Sequence, residues 1–315
     1  MVEFSSQDLI LVTEFYEIEP RSVSMLKHSA WGTVFMLEAS DGSYIGRVVD
    51  PSALGNTENG AMVASALRES GFGVAPNYIS NRATKRYTLI LDDQRALTIY
   101  EYIPGFVTQD LSRELLARSV DAVQLLLKHM AKVSREVMPV RSVADQFRAD
   151  LLDAEHILMR AGAPTFLRIL KDLDVRLIDR LDGSLPVHGD LNATNFVWSG
   201  SGALNGLIDF GSTGHGSVLA DVLPFITGTG IRENAFQLDR FGDCARVLRC
   251  VRGYCEISGQ ECVDLLTLVA LGFFGRVNSS QPPTADLVWR DALRAQVLVA
   301  NRAAIAGICE ELLQG

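Results

Sequence analysis

Two short acidic motifs constrain this chain more than any other feature of its sequence. The first lies in residues 187–198, VHGDLNATNFVW, where Asp190 and Asn195 form an HGD-x4-N pattern. The second is Asp209 with the phenylalanine and glycine that follow it. Each motif alone is compatible with an ordinary surface turn. Together, in this order and each beside a short β-rich run, they indicate one site built from two loops.

The residue types in these loops suit phosphoryl transfer. That reaction needs a carboxylate that orients the attacking hydroxyl and accepts its proton, and it needs oxygen ligands that hold Mg²⁺ against the phosphates. A loop with an Asp and an Asn at this spacing supplies one of each, and the Asp of the second loop supplies another metal ligand. The protein-kinase motifs H-R-D-L-x-x-x-N and D-F-G have this arrangement. Here Gly189 stands where those kinases have arginine.

The HGDLNATN segment, with the Ile-Asp pair that ends at residue 209, resembles the aminoglycoside phosphotransferase and choline kinase superfamily. That group includes small-molecule kinases with a protein-kinase-like fold. The motifs give a strong local match, and the order of elements extends the resemblance over nearly the whole chain. The resemblance implies that Asp190 is the catalytic base and that Asn195 and Asp209 hold Mg²⁺. It also implies that His188 supports the loop and that Asp221 is structural.

The residue patterns and the resemblance predict an α+β, bilobal, protein-kinase-like fold. Residues 1–103 form a nucleotide-binding lobe with a small antiparallel β-sheet and one helix from about Thr57 to Ser70, and Asp41-Gly42 marks a hairpin. Residues 104–315 form a mainly helical lobe with the catalytic and substrate sites, after a linker near Pro104. Amphipathic periodicity predicts its helices in residues 111–137, 143–160, 236–254, 260–274 and 287–313.

A basic residue in the predicted sheet is the main departure from the kinase pattern. Arg47 occupies the position where the family has a strand lysine, and it shares a strand face with Ile45 and Val49. An arginine on an apolar face is costly unless it is paired or reaches a ligand. We therefore expect Arg47 to contact phosphate or to pair with Glu58, near the start of the next helix. Glu69 is a poorer candidate because it lies at the far end of that helix.

Two further segments of the first lobe suit a nucleotide, which the resemblance implies is ATP or GTP. Backbone amides from Ser29 to Gly32 can cover the phosphates, although the segment lacks the early glycines of the protein-kinase loop. Residues 101–105, EYIPG, resemble the family's hinge. By that resemblance, backbone groups of Glu101 and Ile103 contact the purine edge.

Composition narrows the class of partner. The formal net charge of −9 argues against non-specific nucleic-acid binding and is compatible with a cationic substrate. The most apolar stretch, residues 265–275, is about half the length of a membrane span. The odd number of cysteines and the missing signal pattern favour the cytoplasm. The four clustered thiols, at positions 244, 250, 255 and 262, form no CxxC pair and are expected to be structural.

Several functions remain open at this stage. A phosphotransferase that modifies an aminoglycoside-like or other antibiotic, and so confers antibiotic resistance, competes with a metabolic kinase acting on homoserine-like, choline-like or sugar substrates. A nucleotide-binding pseudokinase is the alternative suggested by the missing lysine and the poor glycine loop. A protein kinase is disfavoured because no A-P-E element follows Asp209. Either a monomer or a homodimer is compatible with the sequence.

Overall fold

The computed structural model describes residues 4–29, 32–134, 137, 141–233, 236–252, 254, 256–280 and 286–314. The chain forms two compact units, each built from separate segments. Unit 1 consists of Met1–Phe106, Val133–Val137 and Val197–Ser212. Unit 2 consists of Val107–Lys132, Met138–Phe196 and Thr213–Gly315.

Unit 1 contains a five-stranded antiparallel sheet with the order β1-β2-β3-β5-β4. The strands are β1 Pro20–Ser29, β2 Gly32–Ala39, β3 Ser43–Val49, β4 Thr88–Asp92 and β5 Arg95–Glu101. The tight connection between β2 and β3 contains the predicted Asp41-Gly42 turn. Residues on β2, β3 and β5, namely Leu37, Val48, Leu97 and Ile99, are almost fully buried in one core. Burial of each such side chain stabilises the fold by about 1.5–3 kcal/mol.

An N-terminal helix, α1 Ser6–Tyr16, covers the same core and is a second helix in the lobe for which we expected one. It begins with a capping box, in which the Ser5 hydroxyl accepts from Asp8 N–H and the Asp8 carboxylate accepts from Ser5 N–H. Asp8 is also bound by the Arg95 guanidinium, at 2.7 and 3.1 Å. The Ser–Asp cap was a readable start signal, but this short helix has weak amphipathic periodicity.

The second helix of unit 1, α2 Leu54–Glu69, confirms the helix predicted from Thr57 to Ser70, but it begins earlier. It lies against the DFG segment. A Cβ atom at Gly60 would stand 2.3 Å from the carbonyl oxygen of Phe210, so only glycine permits this approach. Phe210 itself is fully buried. The helix therefore supports the second motif directly.

Two short strands of unit 1 carry that segment. They are β7 Phe196–Trp198, at the boundary between the units, and β8 Leu204–Leu207, and they pair with each other. Leu207 N–H donates to the carbonyl of Val74 at 2.9 Å, and Phe106 and Trp198 exchange two backbone hydrogen bonds. The strand therefore ends at Leu207, before the second motif, and a single 3-10 turn, Phe210–Ser212, contains the phenylalanine and glycine of that motif.

Unit 2 is helical, with one small sheet of β6 Leu185–Val187 and β9 Gly214–Gly216. Its α-helices are α3 Arg113–Met130, α4 Val143–Arg160, α5 Pro164–Asp172, α6 Leu219–Phe225, α7 Leu238–Ala245, α8 Gly259–Ser279, α9 Arg290–Ala300 and α10 Arg302–Gln314. The closest packing lies between α4 and α8. A Cβ atom on Gly275 would overlap the Asp150 carbonyl oxygen, at 1.9 Å.

Helix ends depart from the predicted ranges. The helix expected over 111–137 ends at Met130, and residues 135 and 136 of that range lie outside the described part of the chain. The range 236–254 is α7 followed by 3-10 turns from Arg246 to Val251. The range 287–313 is two helices, α9 and α10, bent by 82°. The helical spacing of apolar residues in the sequence continues across these breaks. It therefore predicted longer helices than the structure has.

Helix α8 is longer and more apolar than the sequence suggested. Within the described residues it has the length and composition to cross a membrane, and the bent pair α9–α10 would pass the same test as one span. However, 78% of the apolar window of α8 is buried inside the protein. That burial is typical of the central core helix of a folded unit.

Candidate active site

The HGD loop of unit 2 is held by a buried carboxylate. The strand β6 ends at Val187 and the chain turns at Gly189, whose φ of 78° favours glycine. The two carboxylate oxygens of Asp221, on α6, accept the backbone N–H groups of His188 at 3.0 Å and Gly189 at 2.8 Å. Asp221 and His188 are fully buried, whereas Asp190 is half-buried. The loop is thus fixed just before the one acid that it exposes.

Asn195 fixes the other side of the same loop. Its amide nitrogen donates to the carbonyl oxygen of Asp190 at 2.6 Å. Because the nitrogen is used in this way, the amide oxygen is the atom that Asn195 presents to a cation. Asn192 adds a local cap, since its amide oxygen accepts the backbone N–H of Thr194 at 3.0 Å and the Thr194 hydroxyl at 2.6 Å. The structure therefore brings Asp190 and Asn195 together.

The environment of Asp221 shifts its titration. Burial raises the pKa of this carboxyl group to about 6, although the hydrogen bonds from Gly189 and His188 act in the opposite direction. A carboxylate that has two backbone donors, and no ion pair with the residues that the structure describes, is the expected arrangement for an acid that positions a loop. The role that the sequence suggested for Asp221, structural support, agrees with this geometry.

The second motif forms an ion pair inside unit 1. Arg47 Nη1 donates to Asp209 Oδ1 at 2.8 Å, and the two side chains are 23% and 47% exposed. Asp209 adopts a φ of 64°, which is uncommon for a residue other than glycine and costs of order 1–3 kcal/mol. A Cβ atom at Gly211 would lie 3.1 Å from Arg47 Nη1, so the glycine of the motif makes room for the guanidinium.

Two tyrosines adjoin this ion pair, and the sequence gave us no reason to single them out. The ring centroids of Tyr78 and Tyr100 are 5.2 Å apart. Tyr100 lies on β5, two residues after Thr98, which pairs with Arg47 of β3. Burial raises the pKa of both phenols, to about 12 for Tyr100, with Asp209 adding to the increase. Burial lowers the pKa of Arg47, but the charge and hydrogen bond of Asp209 and the two tyrosines together outweigh this effect, and the pKa is raised. The guanidinium therefore stays charged.

Sequence comparison identifies the family. The profile of the phosphotransferase enzyme family matches residues 27–254, which is well over half of the chain. The chain belongs to this family. Membership confirms the expected superfamily and the expected class of enzyme, a phosphotransferase. Comparison with curated proteins found no match.

Solved structures confirm the kinase-like fold of this phosphotransferase. A choline kinase from Streptococcus pneumoniae aligns with a TM-score of 0.60 and 14% identity, over 94% of this chain and 96% of that one. A spectinomycin phosphotransferase in complex with ADP and spectinomycin aligns at 0.57 and 13%, over 98% of both chains. A macrolide 2'-phosphotransferase from Brachybacterium faecium aligns at 0.56 and 16%, over 97% of both. At these identities the likeness concerns the fold alone.

One expected pairing in the phosphotransferase is wrong. Glu58 does not bind Arg47: its carboxylate accepts the backbone N–H groups of Tyr87 and Thr88 and, at 2.6 Å, the Thr88 hydroxyl. Glu58 thereby ties α2 to the start of β4. The arginine side chain carries a planar guanidinium group, which in Arg47 binds Asp209 instead. Glu58 is therefore free to bind the start of β4.

The remaining predicted nucleotide contacts also lie in unit 1. Ser29 and Gly32 face each other at the ends of β1 and β2, and the Ser29 hydroxyl donates to the Gly32 carbonyl at 3.2 Å. The residues between them, Ala30 and Trp31, lie outside the described part of the chain. Gly32 has a φ of 121°, and a Cβ there would stand 2.4 Å from Val48 O. Glycine is therefore required at this turn.

The hinge residues border a small cavity of about 300 Å³ in unit 1. Glu101 and Ile103 line it together with Pro104 and Asn205. The N–H of Glu101 donates to Asn77 O at 3.0 Å, which leaves its carbonyl as the polar backbone group for a ligand. The Ile103 N–H makes no backbone hydrogen bond with the described residues.

The described residues contain no group of three or more His, Cys, Asp or Glu side chains that could hold a metal by themselves. Three of the clustered cysteines, Cys244, Cys250 and Cys262, are buried or half-buried, and Cys255 lies outside the described residues. Burial raises the pKa of Cys244, as expected for an unreactive core thiol. An amide oxygen, as on Asn195 in unit 2, and a carboxylate, as on Asp209 in unit 1, are each a type of oxygen donor that Mg²⁺ uses in proteins.

Proposed function

We propose that this phosphotransferase transfers the γ-phosphoryl group of ATP to a hydroxyl group of a small molecule. The observation that carries the proposal is the HGD loop, in which Asp221 and Asn195 hold the backbone on both sides of Asp190. A carboxylate positioned in this way is what phosphoryl transfer requires, because the protein contributes mainly orientation and electrostatic stabilisation.

In this proposal Asp190 is the catalytic base. Its carboxylate accepts a hydrogen bond from the acceptor hydroxyl and takes the proton as the hydroxyl oxygen bonds to the γ-phosphorus. The bond from that phosphorus to the β–γ bridging oxygen breaks, and ADP leaves. The half-buried position of Asp190, between the buried His188 and Leu191, supports this role because the carboxylate remains reachable while its loop stays fixed.

Asn195 and Asp209 are proposed to hold Mg²⁺, which would neutralise charge on the phosphates. The hydrogen bond from the Asn195 nitrogen to Asp190 supports the first assignment, since it turns the amide oxygen towards the ligand side. The carboxylate of Asp209 is bound by Arg47 in this structure. Arg47 must therefore release or share that carboxylate when a nucleotide and its metal arrive, and its guanidinium is then placed to contact the phosphates.

The purine is proposed to bind at the hinge, through the carbonyl of Glu101 and the N–H of Ile103. Glu101 N–H is occupied by Asn77, which supports the use of its carbonyl. Ser29 and Gly32, which pair at the ends of β1 and β2, are proposed to help cover the phosphates. Glu58 is not proposed to contact the nucleotide, because its carboxylate is saturated by β4. A cytoplasmic location, where ATP and Mg²⁺ are available, belongs to the same proposal.

The acceptor is proposed to be a small hydroxylated compound bound to unit 2. Structures that share the fold include enzymes named for spectinomycin, macrolides and choline. An antibiotic-modifying enzyme and a metabolic homoserine- or choline-type kinase are therefore both candidates. The alternative is a pseudokinase that binds nucleotide without turnover.

A nucleotide-consumption assay over a panel of hydroxylated antibiotics, amino alcohols and hydroxy acids tests the proposal. We expect acceptor-dependent formation of ADP, with a phosphorylated product detected by mass spectrometry. The same assay with GTP measures donor preference. Binding of ATP, measured by calorimetry, with no product from any acceptor would favour the pseudokinase.

A further inference from the structure

Arg141 lies one strand away from the HGD loop in unit 2. Its carbonyl oxygen accepts the N–H of His215 at 2.8 Å, and the next residue pairs with His215 as a parallel bridge. His215 is in β9, which pairs with β6, and β6 runs directly into the catalytic loop. A Cβ atom on Gly214 would stand 2.7 Å from the Arg141 carbonyl oxygen. The close approach thus depends on glycine at 214.

The guanidinium of Arg141 has no partner among the described residues, although the side chain is half-buried. Neither an ion pair nor a side-chain hydrogen bond connects it to the described part of the chain. Burial lowers the pKa of Arg141, the neighbouring Arg276 lowers it further, and the charges of Asp150 and Asp190 act against this. Arg141 is therefore within electrostatic reach of the proposed catalytic base without being paired to it.

One carboxylate whose charge acts on Arg141 already has other hydrogen-bond donors. Asp150, on α4, is almost fully buried. Its Oδ2 atom accepts Arg276 Nε at 2.8 Å and Nη2 at 2.7 Å, and its Oδ1 accepts the Gln146 amide at 2.7 Å. Asp150 and Arg276 neutralise each other, so among the described residues Asp150 is not available to pair with Arg141.

An unpaired cation in a partly dehydrated place is unfavourable unless a ligand completes it. Other described arginines of unit 2, such as Arg148, Arg176 and Arg302, have carboxylate partners. Arg141 differs from them both in lacking a partner and in facing the electrostatic field of Asp190. An oxyanion on the acceptor would satisfy the guanidinium, which binds carboxylate and phosphate through paired N–H donors.

We propose that Arg141 selects acceptors that carry an oxyanion, a carboxylate or a phosphate, alongside the hydroxyl that faces Asp190. This proposal rests on the proposed function and narrows its substrate class to hydroxylated anions. It departs from the cationic acceptor that the negative net charge allowed, because Arg141 is a cation within electrostatic reach of Asp190 even though the whole chain is acidic.

Four small probes that share a hydroxymethyl group test it: glycolate, 2-hydroxyethyl phosphate, ethylene glycol and ethanolamine. In protein labelled with ¹⁵N-arginine, the Nε–H resonance of Arg141 is assigned from its loss in Arg141→Lys. We expect the two anions to shift this resonance, and the neutral and cationic probes to leave it in place. Comparing the shifts caused by glycolate and by 2-hydroxyethyl phosphate then shows whether a carboxylate or a phosphate is preferred.

Nucleotide consumption with the same probes gives the second readout. Arg141→Gln should reduce kcat/KM for the preferred anion on the order of tenfold to a hundredfold, the loss typical of one charge-assisted hydrogen bond, while Arg141→Lys restores part of it. The control is Arg176→Gln, an exposed arginine of the same unit, which should not change the preference. Thermal melting checks that the variants fold.

The proposal is overturned if the Arg141 resonance is unmoved by both anions or moves equally with ethanolamine, or if Arg141→Gln keeps the wild-type anion preference. An anion-specific shift without any nucleotide consumption would support the site and contradict the proposed function. Consumption that favours ethanolamine would support the function and overturn the role of Arg141. The two ideas therefore fail in different experiments.

Discussion

At the scale of a single residue, Arg47 determines the charge arrangement around the second acidic motif. Lysine carries a point charge, whereas arginine carries a planar fork with several donors. In this structure the fork reaches Asp209, which lies far away in sequence, and Gly211 provides the space for it. One residue thereby links the sheet to the second acidic motif.

Arg47→Ala is expected to weaken ATP binding on the order of tenfold or more, because a charge-assisted contact to phosphate is lost. Arg47→Lys should keep part of the affinity, since the charge remains but the fork does not. Calorimetric titration with ATP, with and without Mg²⁺, measures both effects. Arg82→Ala, which removes an exposed arginine from a surface pair with Glu17, is the matched control. A wild-type dissociation constant for Arg47→Ala would show that another group neutralises the nucleotide.

Asp190→Asn should lower kcat by roughly a hundredfold or more while ATP still binds. The side-chain volume hardly changes, but the proton acceptor is lost. Steady-state kinetics gives kcat, and calorimetry gives nucleotide affinity. Asp172→Asn makes the same chemical change at an exposed helix end and should leave both values unchanged. Near-normal turnover in Asp190→Asn would remove Asp190 from the mechanism.

At the scale of elements, glycines decide how closely the helices approach the site. Helix α2 offers a matched pair. Gly60 lies against Phe210, where a Cβ atom would stand 2.3 Å from a carbonyl oxygen, whereas nothing lies within 4 Å of a Cβ atom at Gly55. The two positions share one helix but differ in what they face. A glycine-to-alanine substitution at each position therefore separates the effect of helix propensity from the effect of packing against Phe210.

Gly60→Ala should destabilise the protein by about 1–3 kcal/mol, because the helix must move away from the DFG segment. Gly55→Ala should stabilise it by about 0.5–1 kcal/mol, since alanine is the better helix former. Urea unfolding of both variants measures the free energies. Equal effects of the two substitutions would mean that α2 does not press on Phe210.

The link between α6 and the HGD loop predicts a pH dependence. Burial raises the pKa of Asp221 from its ordinary value of 3.8 to about 6, so the folded state binds the proton more tightly than the unfolded state. The contribution of this group to the free energy of unfolding is therefore greatest below about pH 4 and is lost as the pH rises through about 6, by about 3 kcal/mol in total.

Asp221→Asn has no titrating group at this position, and its free energy of unfolding should fall less than that of the wild type between about pH 4 and pH 6. Urea unfolding at several pH values measures the difference in slope. Asp172→Asn serves as the control for loss of an exposed carboxylate. Parallel pH profiles for wild type and Asp221→Asn would contradict the shifted pKa.

At the scale of the whole molecule, the first unit is not a continuous piece of chain. Val197–Ser212 belongs to it, although this segment follows the HGD loop of unit 2 in sequence. The segment supplies the Leu207 hydrogen bond to Val74 and the Asn205 amide that donates to Pro104 O at 2.7 Å. The boundary near residue 103 that we expected from the sequence does not include this segment in the first lobe.

A fragment containing residues 1–106 should therefore melt at a lower temperature, and less cooperatively, than the same fragment with residues 197–212 attached through a flexible linker. The added segment covers Gly60 and pairs with Phe106. Circular dichroism during heating compares the two fragments. Identical melting curves would show that the first lobe folds without its distant segment.

Local signals carried most of the fold prediction. The Asp41-Gly42 turn, helix α2 and the central helices were readable because turn chemistry and periodicity act over a few neighbouring residues. Helix ends at Met130 and near Ala300 were missed because an apolar face continues past each break. The N-terminal helix was missed because only its cap, and not its periodicity, was distinctive.

The sequence by itself determined which residues are proposed to bear the chemistry, since Asp190, Asn195 and Asp209 stand in fixed order and spacing in two motifs. Only the tertiary structure decided the partners of the charged side chains. Arg47 pairs with Asp209, Glu58 binds the start of β4, and Arg141 has no partner among the residues that the structure describes. The physical reason is that motif spacing is a local property of the chain, whereas ion pairing depends on which distant elements pack together and on which carboxylates other donors have already saturated.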